Sequence, residues 1–280
     1  MYPILTKSQI GPETFRMDIL APRAAKRAAP GQFIMLRATA DGERIPLTIS
    51  DFDSEKGIVT IIFQAVGYST KVLAAMEPGQ ALADFLGPLG KPADLPHEGH
   101  VLCVGGGVGV AVVYPEVKEL FRRGVNVDVV IGARSENLII LEEECRAVCN
   151  RLFITTDDGT KGRKGLVTDV VREQLTNEHY DEVIAIGPVI MMKFVSKTTK
   201  EFGVKTTASM NPLMVDGTGM CGCCRVTVGG EVKYACVDGP EFDGHLIDYD
   251  EAIKRLTAYK EEEKAALQRH ACGEGDCKCR

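Results

Sequence analysis

The chain is 280 residues long, enough for two domains of ordinary size and a short extra module. With 45% hydrophobic and 26% charged residues it reads as globular, and a formal charge of -6 without a dense Lys/Arg stripe argues against a nucleic-acid partner. The first residues lack the basic and apolar regions of a secretory signal, and the longest apolar stretch, 101–114, is broken by glycines and too short for a bilayer, so a soluble cytoplasmic protein is expected.

Residues 1–97 read as short β-strands between Gly and Pro turns, at 15–20, 32–37, 46–50 and 57–64, the pattern of an antiparallel β-barrel. Arg44-Ile45-Pro46-Leu47-Thr48 puts a cation and a hydroxyl at a strand edge, and Gly67-Tyr68-Ser69-Thr70 opens a short helix further on. An Arg and a helix N-terminus converging on one spot make a diphosphate site. A surface Arg beside an ordinary Ser/Thr-capped helix accounts for the same residues.

From residue 98 to 209 apolar strands alternate with helices, as the parallel βαβ units of a Rossmann-like α/β domain require. Strands at 101–104, 127–131, 151–155, 182–186 and 205–209 form one sheet, covered by helices at 109–123, 136–148, 165–175 and 190–202. Gly105, Gly106, Gly107 and Gly109 lie between the first strand and its helix, where backbone N–H groups approach a pyrophosphate, although their spacing departs from G-x-G-x-x-G. Arg134, Asp157 and Gly187 follow the second, third and fourth strands, at the carboxyl edge where open α/β sheets bind ligands. Arg134 suits a ribose or phosphate, Asp157 suits hydroxyls or caps a turn, and Gly187 leaves room for a flat nicotinamide ring.

Of ten cysteines, Cys103, Cys145 and Cys149 are scattered and read as core thiols, whereas seven follow position 220, a distribution that points to metal chemistry. Residues 210–243 form the Gly- and Cys-rich module. Plant-type 2Fe-2S clusters use C-x4-C-x2-C and a remote fourth thiolate. Cys221 and Cys224 supply the x2 pair and Cys236 the remote ligand, while the x4 position holds Asp216. Asp216 is preferred as the fourth ligand over Cys223, because the adjacent Cys223 and Cys224 side chains should diverge. A zinc knuckle in a zinc-stabilised binding module is the competing reading. Residues 244–280 read as a charged amphipathic helix over 248–270 and a tail whose Cys272, Cys277 and Cys279, with His270, are metal-binding, redox-sensitive or inert.

The order of Arg44-x-Pro46-Leu47-Thr48, Gly67-x-Ser69-Thr70, Gly87-Pro88-Leu89-Gly90, the Gly105–Gly109 loop, Gly187-Pro188 and the cysteine loop resembles the ferredoxin-NADP reductase superfamily. Within it the chain is similar, from residue 1 to about 250, to the electron-transfer subunits of dihydroorotate dehydrogenases. It more closely resembles the small (alpha) subunits of NADH-dependent reduced ferredoxin:NADP oxidoreductases, which have Asp at the position of Asp216 where the former have Cys.

The resemblance implies FAD on Arg44, Pro46, Leu47 and Thr48, with Ile62, Phe63 and Gln64 along the flavin and Gly67, Ser69 and Thr70 over its phosphates. It implies NAD(H) on Gly105, Gly106, Gly107, Gly109, Arg134, Asp157 and Gly187, and a 2Fe-2S cluster on Asp216, Cys221, Cys224 and Cys236. Ile186 stands where many members carry a Cys facing the nicotinamide, so no thiol is expected to assist hydride transfer, and no acid or base is indicated. The implied partner is a large flavoprotein subunit with its own FAD and 4Fe-4S clusters, binding NADP(H) and ferredoxin and carrying out flavin-based electron bifurcation. NAD(H) is expected over NADP(H), since Arg134 is a lone cation where a 2′-phosphate usually meets several.

Overall fold

The computed structural model describes residues 2–272, with side chains through 268. The first segment contains β1 (Tyr2–Gly11), β2 (Thr14–Leu20), α1 (Pro22–Ala25), β3 (Phe33–Arg37), β4 (Ile45–Thr48), β5 (Asp51–Asp53), β6 (Ile58–Gln64), α2 (Tyr68–Ala75), β7 (Ala81–Leu82) and β8 (Asp84–Leu89). The strands form two antiparallel sheets, β5-β6-β2-β1-β7 and β4-β3-β8. Alternate residues from both face inward, so Met17, Ile19, Ile34, Leu36, Ile61 and Phe63 share one core.

The second segment runs through β9 (His100–Gly106), α3 (Val110–Arg123), β10 (Asn126–Ala133), α4 (Glu142–Arg146), β11 (Arg151–Thr156), β12 (Arg163–Lys164), α5 (Val167–Asn177), β13 (Glu182–Ile186), α6 (Val189–Glu201) and β14 (Lys205–Ser209). Strands β9 and β10 are apolar on both faces because helices cover both. Val101 and Cys103 face α3, while Leu102 and Val104 face the opposite core. Cys103 and Cys145 are buried and Cys149 packs against the same cluster, as expected of core thiols.

Two expectations for this segment are corrected. The helix expected over 136–148 is a 3-10 turn at Glu136–Leu138 and the short α4, separated by Leu141 at φ 56. Leu141 is in the left-handed region, φ 56 and ψ 28, which a right-handed helix cannot pass through, so α4 begins only after it. The sheet has seven strands, in the order β12-β11-β10-β9-β13-β14-β17, where β17 (Glu241–Asp243) runs antiparallel to β14.

The Cys-rich segment adds the hairpin β15 (Arg225–Val228) and β16 (Glu231–Tyr234), then β17, which returns the chain to the nucleotide-domain sheet. Cys224, Val226 and Cys236 share a core with Phe33 and Met35 of the barrel and Leu102 of β9, so the three segments pack on one another. The helix expected over 248–270 is two, α7 (Tyr249–Arg255), capped by the Asp248 carboxylate on Glu251 N, and α8 (Lys260–Cys272). Side-chain roles for His270 and Cys272, and any for Cys277 and Cys279, lie outside the described residues. Among the described residues no helix is long and apolar enough to cross a membrane.

Candidate functional site

β9 has β10 on one side and β13 on the other, which makes its carboxyl end the point where the strand order reverses and where open α/β sheets form a crevice. A cleft of about 1390 Å³ opens there, between the α/β sheet and the barrel. Its sheet side carries Gly106, Gly107, Gly109, Arg134, Asp157, Ile186 and Gly187; its barrel side carries Pro46, Leu47, Thr48 and Gln64. Ser209, Met210, Met214 and Pro240, around the Cys-rich segment, close the far end.

The loop after β9 is built for close approach. At Gly109 an added Cβ would stand 2.3 Å from Ile186 O, so this turn admits no side chain and draws the β9 and β13 ends together. Gly107, at φ 55, faces open space, with no atom within 4 Å of where a Cβ would be. That opening beside the start of α3 suits a nucleotide diphosphate met by backbone N–H groups. Gly105 lies behind the cleft, against Val110 and Val113. Asp157 N donates to Ala133 O at 3.1 Å, which keeps Asp157 next to Arg134.

On the barrel, Ile62 and Phe63 have buried side chains and only Gln64 of the three reaches the cleft, because the pleat of β6 turns Phe63 into the barrel core against Phe15. The Phe63 side chain is therefore not presented to the cleft. Arg44 Nε donates to Asp84 Oδ2 at 2.7 Å, and Arg44 holds the Asp84 carboxyl below its ordinary range. Gly67 N donates to Thr70 Oγ1 at 3.0 Å, and nothing but that hydroxyl lies within 4 Å of a Gly67 Cβ position, so space is open before α2, beside Ser69.

In the Cys-rich loop the Cys224 and Cys236 sulfurs are 3.2 Å apart and buried, close enough to share one iron. Cys221 is exposed and accepts backbone N–H groups from Cys223, then Asp216, which hold its thiol below the usual range and favour a thiolate ligand. Asp216 Oδ2 accepts from Thr218 N at 2.8 Å, Thr218 Oγ1 at 2.6 Å and Met220 N at 3.3 Å, which keeps the carboxylate ionised beside Cys221. Cys224 pairs with Cys236, whereas Cys223 shares a hydrogen bond with Cys221 that pushes the Cys223 thiol up. The donor set of one carboxylate and soft thiolates suits iron-sulfur ligation. Among the described residues, no group of three Cys, Asp or Glu atoms within 4.8 Å occurs in this loop.

Sequence reasoning missed Glu13, Met191, Ser209 and Pro240 as cleft residues. Met191 covers Gly106 and Gly187, its Sδ 2.3 Å from a Gly106 Cβ position. A single sequence carries no signal for it beyond a four-residue offset from Gly187.

Residues 103–197 match the oxidoreductase NAD-binding domain family and 211–248 the iron-sulfur cluster binding domain of dihydroorotate dehydrogenase B. A dihydroorotate dehydrogenase B (NAD(+)) electron transfer subunit homolog of Thermotoga maritima is 45% identical over 95% of this chain and 94% of its own length. The electron transfer subunit of that enzyme in Fusobacterium nucleatum is 32% identical over 84% of this chain and 92% of its own. A chain from the solved NADH-dependent reduced ferredoxin-NADP oxidoreductase, studied for flavin-based electron bifurcation, superposes with a TM-score of 0.92 at 44% identity, covering 97% of this chain and 98% of that one. FAD, a 2Fe-2S cluster and NAD(H) are accordingly the redox groups of this oxidoreductase subunit. The chain belongs to the family of ferredoxin-NADP reductase-like electron-transfer subunits that includes those of dihydroorotate dehydrogenase B and of NADH-dependent reduced ferredoxin-NADP oxidoreductase.

Proposed function

We propose that this chain is the small subunit of an electron-bifurcating NADH-dependent reduced ferredoxin:NADP oxidoreductase in the cytoplasm. Its partner would be a large flavoprotein subunit with FAD and 4Fe-4S clusters that binds NADP(H) and ferredoxin. One observation carries the reading: a single cleft is bounded by the barrel edge at Thr48 and Gln64, the glycine loop at Gly106–Gly109 and the end of the Cys-rich segment at Met214 and Pro240. Nicotinamide exchanges a hydride, an iron-sulfur centre exchanges single electrons, and a flavin exchanges either, so the three together convert one regime into the other.

In this reading Arg44, with Gly67, Ser69 and Thr70 at the start of α2, holds the FAD diphosphate, and Pro46–Thr48 and Gln64 border the ring. Gly106, Gly107, Gly109, Arg134, Asp157 and Gly187 orient NAD(H), and Ile186 keeps the nicotinamide end apolar. Asp216, Cys221, Cys224 and Cys236 hold the cluster. Asp216 also favours the ferredoxin:NADP type over the second reading, a dihydroorotate dehydrogenase electron-transfer subunit.

Co-expression with each kind of large subunit tests the assignment. A stable complex that couples NADH and reduced ferredoxin to NADP(+) reduction is expected; a complex that oxidises dihydroorotate instead establishes the second reading. An anaerobic visible spectrum without flavin and iron-sulfur bands sinks both.

A further inference from the structure

Behind the cleft floor lie two acids without a described role. Glu116, on α3, is fully buried, and its carboxyl oxygens have no partner beyond Glu241, the first residue of β17, whose Oε1 is buried as well. They are electrostatic neighbours across the seam between α3 and β17. The barrel closes the third side, since Glu241 Oε1 stands 3.0 Å from a Gly31 Cβ position.

The titratable groups acting on the pair are Glu182 of β13, Cys103 of β9 and Asp94 of the linker, all acidic. Glu182 already has Lys205 Nζ at 2.9 Å and Thr207 Oγ1 at 2.6 Å. Two such carboxyls in a buried seam cannot both ionise, so one proton resides on the pair. Burial pushes Glu116 well above the carboxylate range and raises Glu241 less.

The pair is also connected to the cleft. Ser209 lines the cleft and stands directly opposite Glu241 in the β14–β17 ladder, which puts both side chains on one face. Asp94, which acts on Glu241, is exposed to water.

We propose that Glu116 and Glu241 form the internal proton acceptor of the cleft, reached through the Ser209 hydroxyl and emptied toward Asp94. The proposal rests on the hydride-to-single-electron reading above. A hydride brings two electrons and one proton; the electrons leave singly through the Cys-rich segment, so one proton per hydride must leave the cleft. The singly protonated pair accepts it, becomes fully protonated, and returns to its resting state by releasing one proton to solvent.

Infrared spectroscopy of the holoprotein in H2O and D2O tests this. The oxidised wild type at neutral pH is expected to show a D2O-sensitive carboxylic-acid C=O stretch that Glu116→Gln loses, with Glu241→Gln as the second variant should Glu116→Gln not fold. During turnover between NADH and a one-electron acceptor the band should move and then return, and Ser209→Ala should keep the resting band while abolishing that transient movement. Absence of the band in wild type, its survival in both glutamine variants, or a band that stays fixed through the redox cycle overturns the proposal. If NADH does not bleach the flavin, the functional reading fails, and dithionite reduction of the same sample still reads the pair.

Discussion

Cys224 and Cys236 place their sulfurs 3.2 Å apart because the β15–β16 hairpin joins them, with Ala235 N donating to Cys224 O at 3.0 Å just outside the ladder. Cys221 and Asp216 come from the preceding loop, tied to each other by Asp216 N on the Cys221 sulfur. The two halves of the donor set thus arise from different kinds of local structure.

Single substitutions should separate ligands from neighbours. Ala at Cys221, Cys224 or Cys236 should remove the cluster, Asp216→Ala should lose or destabilise it, and Cys223→Ala should retain it. Asp216→Cys should restore a bound cluster with a shifted potential, since thiolate and carboxylate donate differently to iron. Iron content and EPR of the reduced proteins decide. A Cys223 variant without cluster beside a normal Asp216→Ala variant would show the assignment to be wrong.

The metal-free chain should lose stability at alkaline pH. Burial, then the hydrogen bond with Cys224, pushes the Cys236 thiol up from 9.0 to about 12. The folded chain therefore keeps a proton that the unfolded chain gives up, so this contribution is complete below pH 9.0 and lost as pH rises toward 12. Thermal unfolding of the iron-free protein should show that fall, reduced in Cys236→Ala; an unchanged pH slope in the variant would count against the burial argument.

Gly109→Ala should weaken NADH binding in turnover without releasing the flavin. Its Cβ would collide with the backbone at Ile186 O and Gly187, 2.3 and 2.7 Å away, and neither can yield as a flexible side chain would. The readouts are KM for NADH in a dye-reduction assay, expected to rise at least about tenfold, the equivalent of about 1.4 kcal/mol, and the flavin-to-protein ratio. Loss of flavin with normal nucleotide affinity would reverse the division of the cleft.

Asp128 should matter for stability and not for the site. It is fully buried at the amino end of the sheet and accepts from His100 Nε2 at 2.8 Å, Arg151 Nη2 at 2.5 Å and Tyr180 OH at 2.7 Å. Burial works to raise its carboxyl, and these three bonds outweigh it, leaving the carboxyl below 3.8. The contribution is therefore present above that value and lost as pH falls through the folded one. Asp128→Ala should cost about 3 kcal/mol in urea unfolding, because it strands buried donors. An unchanged KM for NADH is the accompanying expectation.

Sequence alone determined the order of parts, because that information is local. Turn glycines, the change from barrel strands to βαβ periodicity at residue 98, the glycines after β9 and the spacing of Asp216, Cys221, Cys224 and Cys236 can each be read within a short window. Tertiary structure decided what depends on packing across windows. The pleat of β6 sent Phe63 inward while Gln64 reached the cleft. A left-handed Leu141, packed with Ile140 in the nucleotide-domain core, broke an expected helix. The return of β17 to the nucleotide sheet set Glu241 beside Glu116, two acids 125 positions apart in the chain whose meeting no periodicity encodes. Their exclusion from water follows from three segments closing on one seam, and a chain read in order has no term for that closure.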